Sequence, residues 1–101
     1  MILYEVNLHI EKDIAEAYVQ WLILQMQLIL QCEGFRKARC FSELQDDATH
    51  CLITVHYEIE TQADLNHYLQ YYAPRMREDG IQRFDEHFSA TRRLLTLQPH
   101  L

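Results

Sequence analysis

The chain has 101 residues, enough for one hydrophobic core and too few for two. A hydrophobic fraction of 49% with only two glycines and two prolines describes a compact folded domain and excludes a disordered segment. The formal net charge of -6 and the pI near 5.4 set the molecule as a whole against a phosphate backbone, so nucleic acid is not an expected partner.

Residues 2–10, ILYEVNLHI, alternate strictly, with Ile2, Tyr4, Val6, Leu8 and Ile10 on one side and Leu3, Glu5, Asn7 and His9 on the other. That period of two predicts a strand with one buried and one polar face, placed in the middle of a sheet. Lys12 and Asp13 then open a helix expected to reach about residue 31, with Asp13 and Glu16 where the helix dipole favours negative charge. Ala15, Tyr18, Val19, Leu22, Met26 and Ile29 form the stripe that covers the sheet. A second apolar line, Ala17, Trp21, Leu24 and Leu28, is spaced like the seam of a helix pair. It reads either as packing on the other helix of the same domain or as a surface for a partner. The apolar run over residues 18–30 is interrupted by Gln20, Gln25 and Gln27 and is shorter than a bilayer requires, so no membrane association is expected. No basic and apolar leader opens the given sequence, so a cytoplasmic location is expected.

Gly34 is the expected stop of the first helix. A second strand over residues 35–44 and a polar hairpin connection over 45–49 lead to a third strand over 51–60. In that third strand Cys51, Ile53, Val55, Tyr57 and Ile59 alternate with Leu52, Thr54, His56 and Glu58. Thr61 with Asp64 resembles a capping box, and Leu65, Tyr68, Leu69 and Tyr72 form the core face of the helix it starts. Pro74 disfavours helical geometry at Ala73, which predicts a break followed by a short turn over 75–79 that Gly80 ends. Ile81 and Phe84 are expected inside, and a last strand over 88–97 closes the domain.

The order strand, helix, strand, strand, helix, strand predicts an α+β, ferredoxin-like βαββαβ domain spanning 1–101, with a four-stranded antiparallel sheet covered on one face by two helices. Its first and third strands are central neighbours. Glu5, Asn7, His9, Thr54, His56 and Glu58 should therefore share the open face, with His9 and His56 facing each other.

YEVN in the first strand, YAPRMREDGIQRF over residues 72–84 and FSATRR from Phe88 together resemble a family of short bacterial proteins known only as a domain of unknown function. The resemblance covers nearly the whole chain. It implies the dimeric α/β-barrel superfamily, in which two ferredoxin-like protomers press their open sheet faces together, and it implies no activity. Distant members of that superfamily include cofactor-independent antibiotic-biosynthesis monooxygenases, haem-degrading monooxygenases, muconolactone-isomerase-like enzymes and ligand sensors. The haem-degrading group uses an asparagine on the first strand, a histidine on the second helix and a tryptophan on the third strand. Asn7 and His67 are likened to the first two, whereas the third strand here carries His56 and Tyr57 and the only tryptophan is Trp21.

The expected ligand-binding set is Asn7, His9, His56 and Glu58, with His9 and His56 the candidate catalytic residues, because histidine exchanges protons near neutral pH and a neighbouring carboxylate fixes its tautomer. An arginine of the last strand would add an anion-stabilising donor. Alternation admits one of Arg92 and Arg93; Arg92 stands as the candidate, although the sequence does not decide between them. No short ligand spacing supports a metal, and no cofactor is expected. Cys32, Cys40 and Cys51 form no CxxC pair and read as free thiols. Arg75, Arg77, Arg83, Arg92 and Arg93 alternate with Glu78, Asp79, Asp85 and Glu86 and read as salt-bridged surface and strand ends. The third strand, CLITVHYEIE, lacks the aromatic pattern of an RNA-recognition sheet. The resulting expectation is a cytoplasmic homodimer that binds a small ligand or a protein partner. The alternative is a cofactor-independent monooxygenase or isomerase acting in the dimer cavity, with His56 or His9 as base.

Overall fold

The computed structural model describes residues 1–44 and 47–99. Strand β1 (Ile2–Glu11) passes through a 3-10 turn (Lys12–Ile14) into helix α1 (Ala15–Ile29). Strands β2 (Phe35–Ser42) and β3 (His50–Ile59) follow, then helices α2 (Gln62–Tyr71) and α3 (Ala73–Phe84), and finally β4 (Phe88–Thr96). The sheet order is β2-β3-β1-β4, with every neighbouring pair antiparallel. This is the expected ferredoxin-like fold, in which β1 and β3 are the central strands.

The inward positions of β1 and β3 build the core. Tyr4, Leu8 and Ile10 lie beside Ile53, Val55, Tyr57 and Ile59, and they pack under Tyr18, Leu22 and Ile29 of α1 and Leu65 and Tyr68 of α2. The tyrosines meet as rings: Tyr4 stacks on Tyr57 with centroids 6.1 Å apart, and Tyr68 tilts against Phe35 at 5.1 Å. Such large side chains add much apolar area to the core.

A side-chain cap fixes where α2 begins. Thr61 accepts a hydrogen bond from the Asp64 backbone N–H at 3.1 Å and donates its own hydroxyl to Asp64 Oδ2 at 2.7 Å, so the predicted box starts α2. At the hairpin, residues 45 and 46 of the expected connection lie outside the described residues. Asp47 Oδ1 accepts from the backbone N–H groups of Thr49 and His50 at 2.7 and 3.1 Å, which leads the chain into β3.

The second half of the helical layer differs from expectation. The break before Pro74 is present, and Pro74 sits in the first turn of α3, where its missing N–H needs no partner. Gly80, however, does not end the helix: α3 runs twelve residues to Phe84, and Asp85, at φ 53°, is its cap. Gly80 is buried because Trp21 of α1 lies against it. Ile81, expected inside, is exposed. The second apolar line of α1 divides accordingly, with Trp21 half-buried against α3 while Leu24 and Leu28 stay exposed.

Candidate functional site

The open face of the sheet carries a polar cluster centred on Glu5. Pairing places Glu5 opposite His56 on β3 and opposite Arg93 on β4. Its carboxylate accepts from Arg93 Nε at 2.6 Å, His56 Nε2 at 2.9 Å and Asn7 Nδ2 at 3.0 Å, and Asn7 Oδ1 in turn accepts from the Thr54 hydroxyl at 2.8 Å. Since an ionised carboxylate only accepts, His56 presents its protonated Nε2 here. These neighbours leave Glu5 only 6% exposed. The Arg93 hydrogen bond, with help from Asn7 and His56, outweighs the cost of burial and holds the Glu5 carboxyl down at about 2. A carboxylate with three donors and so low a pKa is a fixed anion and a poor proton acceptor near neutrality.

The expected residues are only partly brought together. Asn7 and His56 join Glu5, whereas Glu58 pairs with Arg39 at 3.0 Å. His9 stands opposite Leu52 and Ser89, four residues along β1 from the position facing His56, so the two histidines do not meet. Arg92 is corrected to the other side of the sheet: it pairs in register with Val6, and Arg93 is the arginine on the open face. Asn7 and His67 do not converge either, because Asn7 belongs to the open face while His67 is exposed on α2 beside Tyr71, at 4.7 Å between rings.

A cavity of about 270 Å³ lies on the opposite side of the sheet, between its inward face and α1 and α3. Its walls are largely apolar and aromatic, with Leu8, Leu22, Val55 and Phe88 beside Tyr18, Tyr57 and Tyr68. Burial pushes the Tyr18 hydroxyl up to about 12 and raises Tyr57 and Tyr68 as well, so all three stay neutral. Among the described residues, the Tyr68 hydroxyl has only the sulfur of Met76 at 3.8 Å as acceptor. The charged residues of the lining are Arg77, Arg92 and Asp85. Arg77 donates through Nη2 to Tyr4 Oη at 3.2 Å, while its buried Nε has no hydrogen-bond partner among the described residues.

The sequence pattern assigns Arg77 to salt-bridged surface and Arg92 to the open face, and points to neither as part of this cavity. A signal was present in the spacing Ala73, Arg77, Gly80, Phe84, which is one inward stripe once α3 is read through Gly80. Among the described residues, no group of three or more His, Cys, Asp or Glu side chains is placed to hold a metal ion. Cys32, Cys40 and Cys51 are free, and burial raises the thiols of Cys32 and Cys40. No helix among the described residues is long and apolar enough to cross a membrane.

Solved structures share this fold over almost the full length. A protein from Deinococcus radiodurans, provisionally assigned as an antibiotic biosynthesis monooxygenase, superposes with a TM-score of 0.81 at 11% identity, covering 100% of this chain and 96% of that one. SnoaB, a cofactor-independent oxygenase from Streptomyces nogalater, gives 0.75 at 10% identity over 99% and 96%. A further antibiotic biosynthesis monooxygenase gives 0.75 at 12% over 98% and 100%. Identities of this size establish a common fold and no common chemistry. No curated protein sequence matches the chain. The family described as a domain of unknown function (DUF4286) matches residues 1–98, and the chain belongs to that family.

Proposed function

We propose that this domain is a homodimeric binding protein that holds a small, largely apolar molecule in the cavity between its sheet and its helices. The cavity carries the reading. At about 270 Å³ it lies near the small end of the range for ligand sites, and a one- or two-ring molecule suits it. Aromatic walls with a few convergent polar groups are the usual make-up of such a site. The open face serves contact between protomers in this proposal. Leu3, Phe41, Leu52 and Leu95 share the face with the Glu5 cluster by register, and Phe41 is 45% exposed. Apolar side chains around a satisfied polar centre favour a covered surface. Three free thiols support a reducing, cytoplasmic location. Binding is preferred to catalysis because His9 and His56, the bases of an enzymatic reading, lie on the open face, and no histidine lines the cavity among the described residues.

Two measurements test the proposal. Sedimentation at micromolar concentration should give a species of twice 12.2 kDa, and a 12.2 kDa species alone overturns the dimer. Titration with naphthalene, followed by NMR, should perturb Tyr18 and Phe88 and leave the open face unchanged. Ala90→Phe, which fills the cavity from β4, should abolish that response. A folded protein indifferent to the probe refutes the cavity as a ligand site.

A further inference from the structure

We propose that the molecule taken up by this cavity is a planar aromatic anion, a carboxylate or a phenolate, whose charged oxygen is received by Arg77. The inference rests on the preceding reading that the cavity is a ligand site, and it adds the chemical class of the ligand.

Arg77 enters the cavity from α3, in an aromatic and aliphatic surrounding. A guanidinium carries five N–H donors in a fixed fork and accepts nothing. Here one donor is given to Tyr4 Oη, a neutral acceptor, and Nε is buried with no partner among the described residues. A buried cationic donor left without an acceptor is costly, and an oxygen anion is the group whose geometry matches the fork. Arg92 adds a second positive charge from β4 and makes no ion pair among the described residues; its field acts on the hydroxyls of Tyr18 and Tyr68. The charged residues lining the cavity are Arg77, Arg92 and Asp85, and Asp85 pairs with neither arginine among the described residues.

The hydroxyls point to the same chemistry. Tyr18 and Tyr57 have no hydrogen-bond partner for their hydroxyls among the described residues, and Tyr68 reaches only the Met76 sulfur. Kept neutral by burial, the hydroxyls of Tyr18 and Tyr57 can each donate to a ligand oxygen. The rest of the wall, Trp21, Phe88 and the aliphatic side chains, suits a flat ring system. The molecule as a whole has a net charge of -6, so it repels anions at a distance and would capture one only where Arg77 and Arg92 dominate locally.

The test compares 2-naphthoate with 2-methylnaphthalene, two probes of nearly the same shape that differ in charge, by calorimetry or NMR titration of the full chain. The wild type should bind naphthoate at least tenfold more tightly. Arg77→Met should erase the preference while leaving the affinity for methylnaphthalene within about twofold, as expected when a charge-assisted hydrogen bond is removed and apolar bulk is kept. Arg77→Lys, which preserves the charge without the fork, should retain only part of the preference and provides a folded variant if the methionine disturbs α3. Asp85→Asn should raise the affinity for naphthoate by removing the one opposing charge. Equal binding of the two probes overturns the anion assignment, and a preference intact in Arg77→Met overturns Arg77 as the group that receives it, while either result leaves the ligand site standing. Binding of neither probe by folded wild-type protein overturns the ligand site itself.

Discussion

The indole of Trp21 rests on Gly80: a Cβ built on that glycine would stand 2.9 Å from Trp21 Cη2. The ring is held in place from its other side, because Trp21 Nε1 donates to Asp79 Oδ2 at 2.9 Å and Asp79 in turn accepts from Arg83 Nε at 3.1 Å. Tyr18 and Phe84 flank it with ring centroids at 5.5 and 5.8 Å. Trp21 also lines both the cavity and the outer groove that runs past Leu24 and Leu28, so it stands as a wall between them. A glycine in the interior of α3 is thereby explained by close approach and not by helix termination.

Gly80→Ala sets two effects against each other. Alanine in a helix interior gains about 1 kcal/mol over glycine. Overpacking a well-packed contact costs about 1–3 kcal/mol, and the pinned indole cannot swing away cheaply. The expected net result is a loss of about 1 kcal/mol in chemical denaturation, from the difference between those two magnitudes. In a Trp21→Leu background the clash is gone, so the same substitution should become stabilising. A Gly80→Ala protein more stable than wild type would show that the contact is loose.

Acid stability should report on Glu5. Its folded-state pKa of about 2 lies below the ordinary 4.5, so the unfolded chain binds the proton first as pH falls. Its contribution to stability is complete above about pH 4.5 and is lost progressively as pH falls toward 2. Asp47 and Asp79 are also held low and contribute a slope in the acid range, so the comparison must be with a variant. Glu5→Gln keeps the shape and removes the charge; it should cost about 1.5–3 kcal/mol at neutral pH, the range for hydrogen bonds to a charged group. Denaturation curves recorded from pH 7 to 2 should converge for the two proteins at the acid end. Parallel curves would mean that Glu5 is not perturbed.

Strand and helix order were legible because β1 and β3 alternate with period two and the α1 and α2 stripes repeat at helical spacing; the cap agrees at the start of α2, whereas α1 has no side-chain cap and ends at Ile29, before Gly34. Glu5, His56 and Asn7 could be placed on one face by that alternation alone. The choice between Arg92 and Arg93 could not, since β4 reads FSATRRLLT and carries no clear polar and apolar alternation; register with β1 decides it. The cavity was hidden for a different reason. Tyr4, Tyr18, Tyr57 and Tyr68 read as core from their positions, and three-dimensional spacing is needed to show that they leave a void. Misreading Gly80 as a stop then removed Arg77 from the inward stripe to which it belongs.

Gly34 makes the last prediction, because two separate constraints meet there. Its φ of +83° lies in the left-handed region, and the Cβ that alanine would add would overlap the Asp64 carboxylate. The segment cannot shift freely, since Glu60 N donates to Gly34 O at 2.9 Å and so ties it to the chain entering α2. Asp64 is itself committed, accepting from the Thr61 hydroxyl that caps α2. For a residue with a Cβ the left-handed conformation costs about 1–2 kcal/mol. Displacing Asp64 from the cap adds about 1 kcal/mol. Gly34→Ala should therefore lose about 2–3 kcal/mol by the sum of these two effects. Asp64→Ala removes the obstacle and leaves the dihedral strain, so in that background Gly34→Ala should lose only about 1–2 kcal/mol. A double-mutant cycle in urea measures the difference, and a coupling of zero would leave strain at Gly34 as the whole effect and the Asp64 contact without consequence.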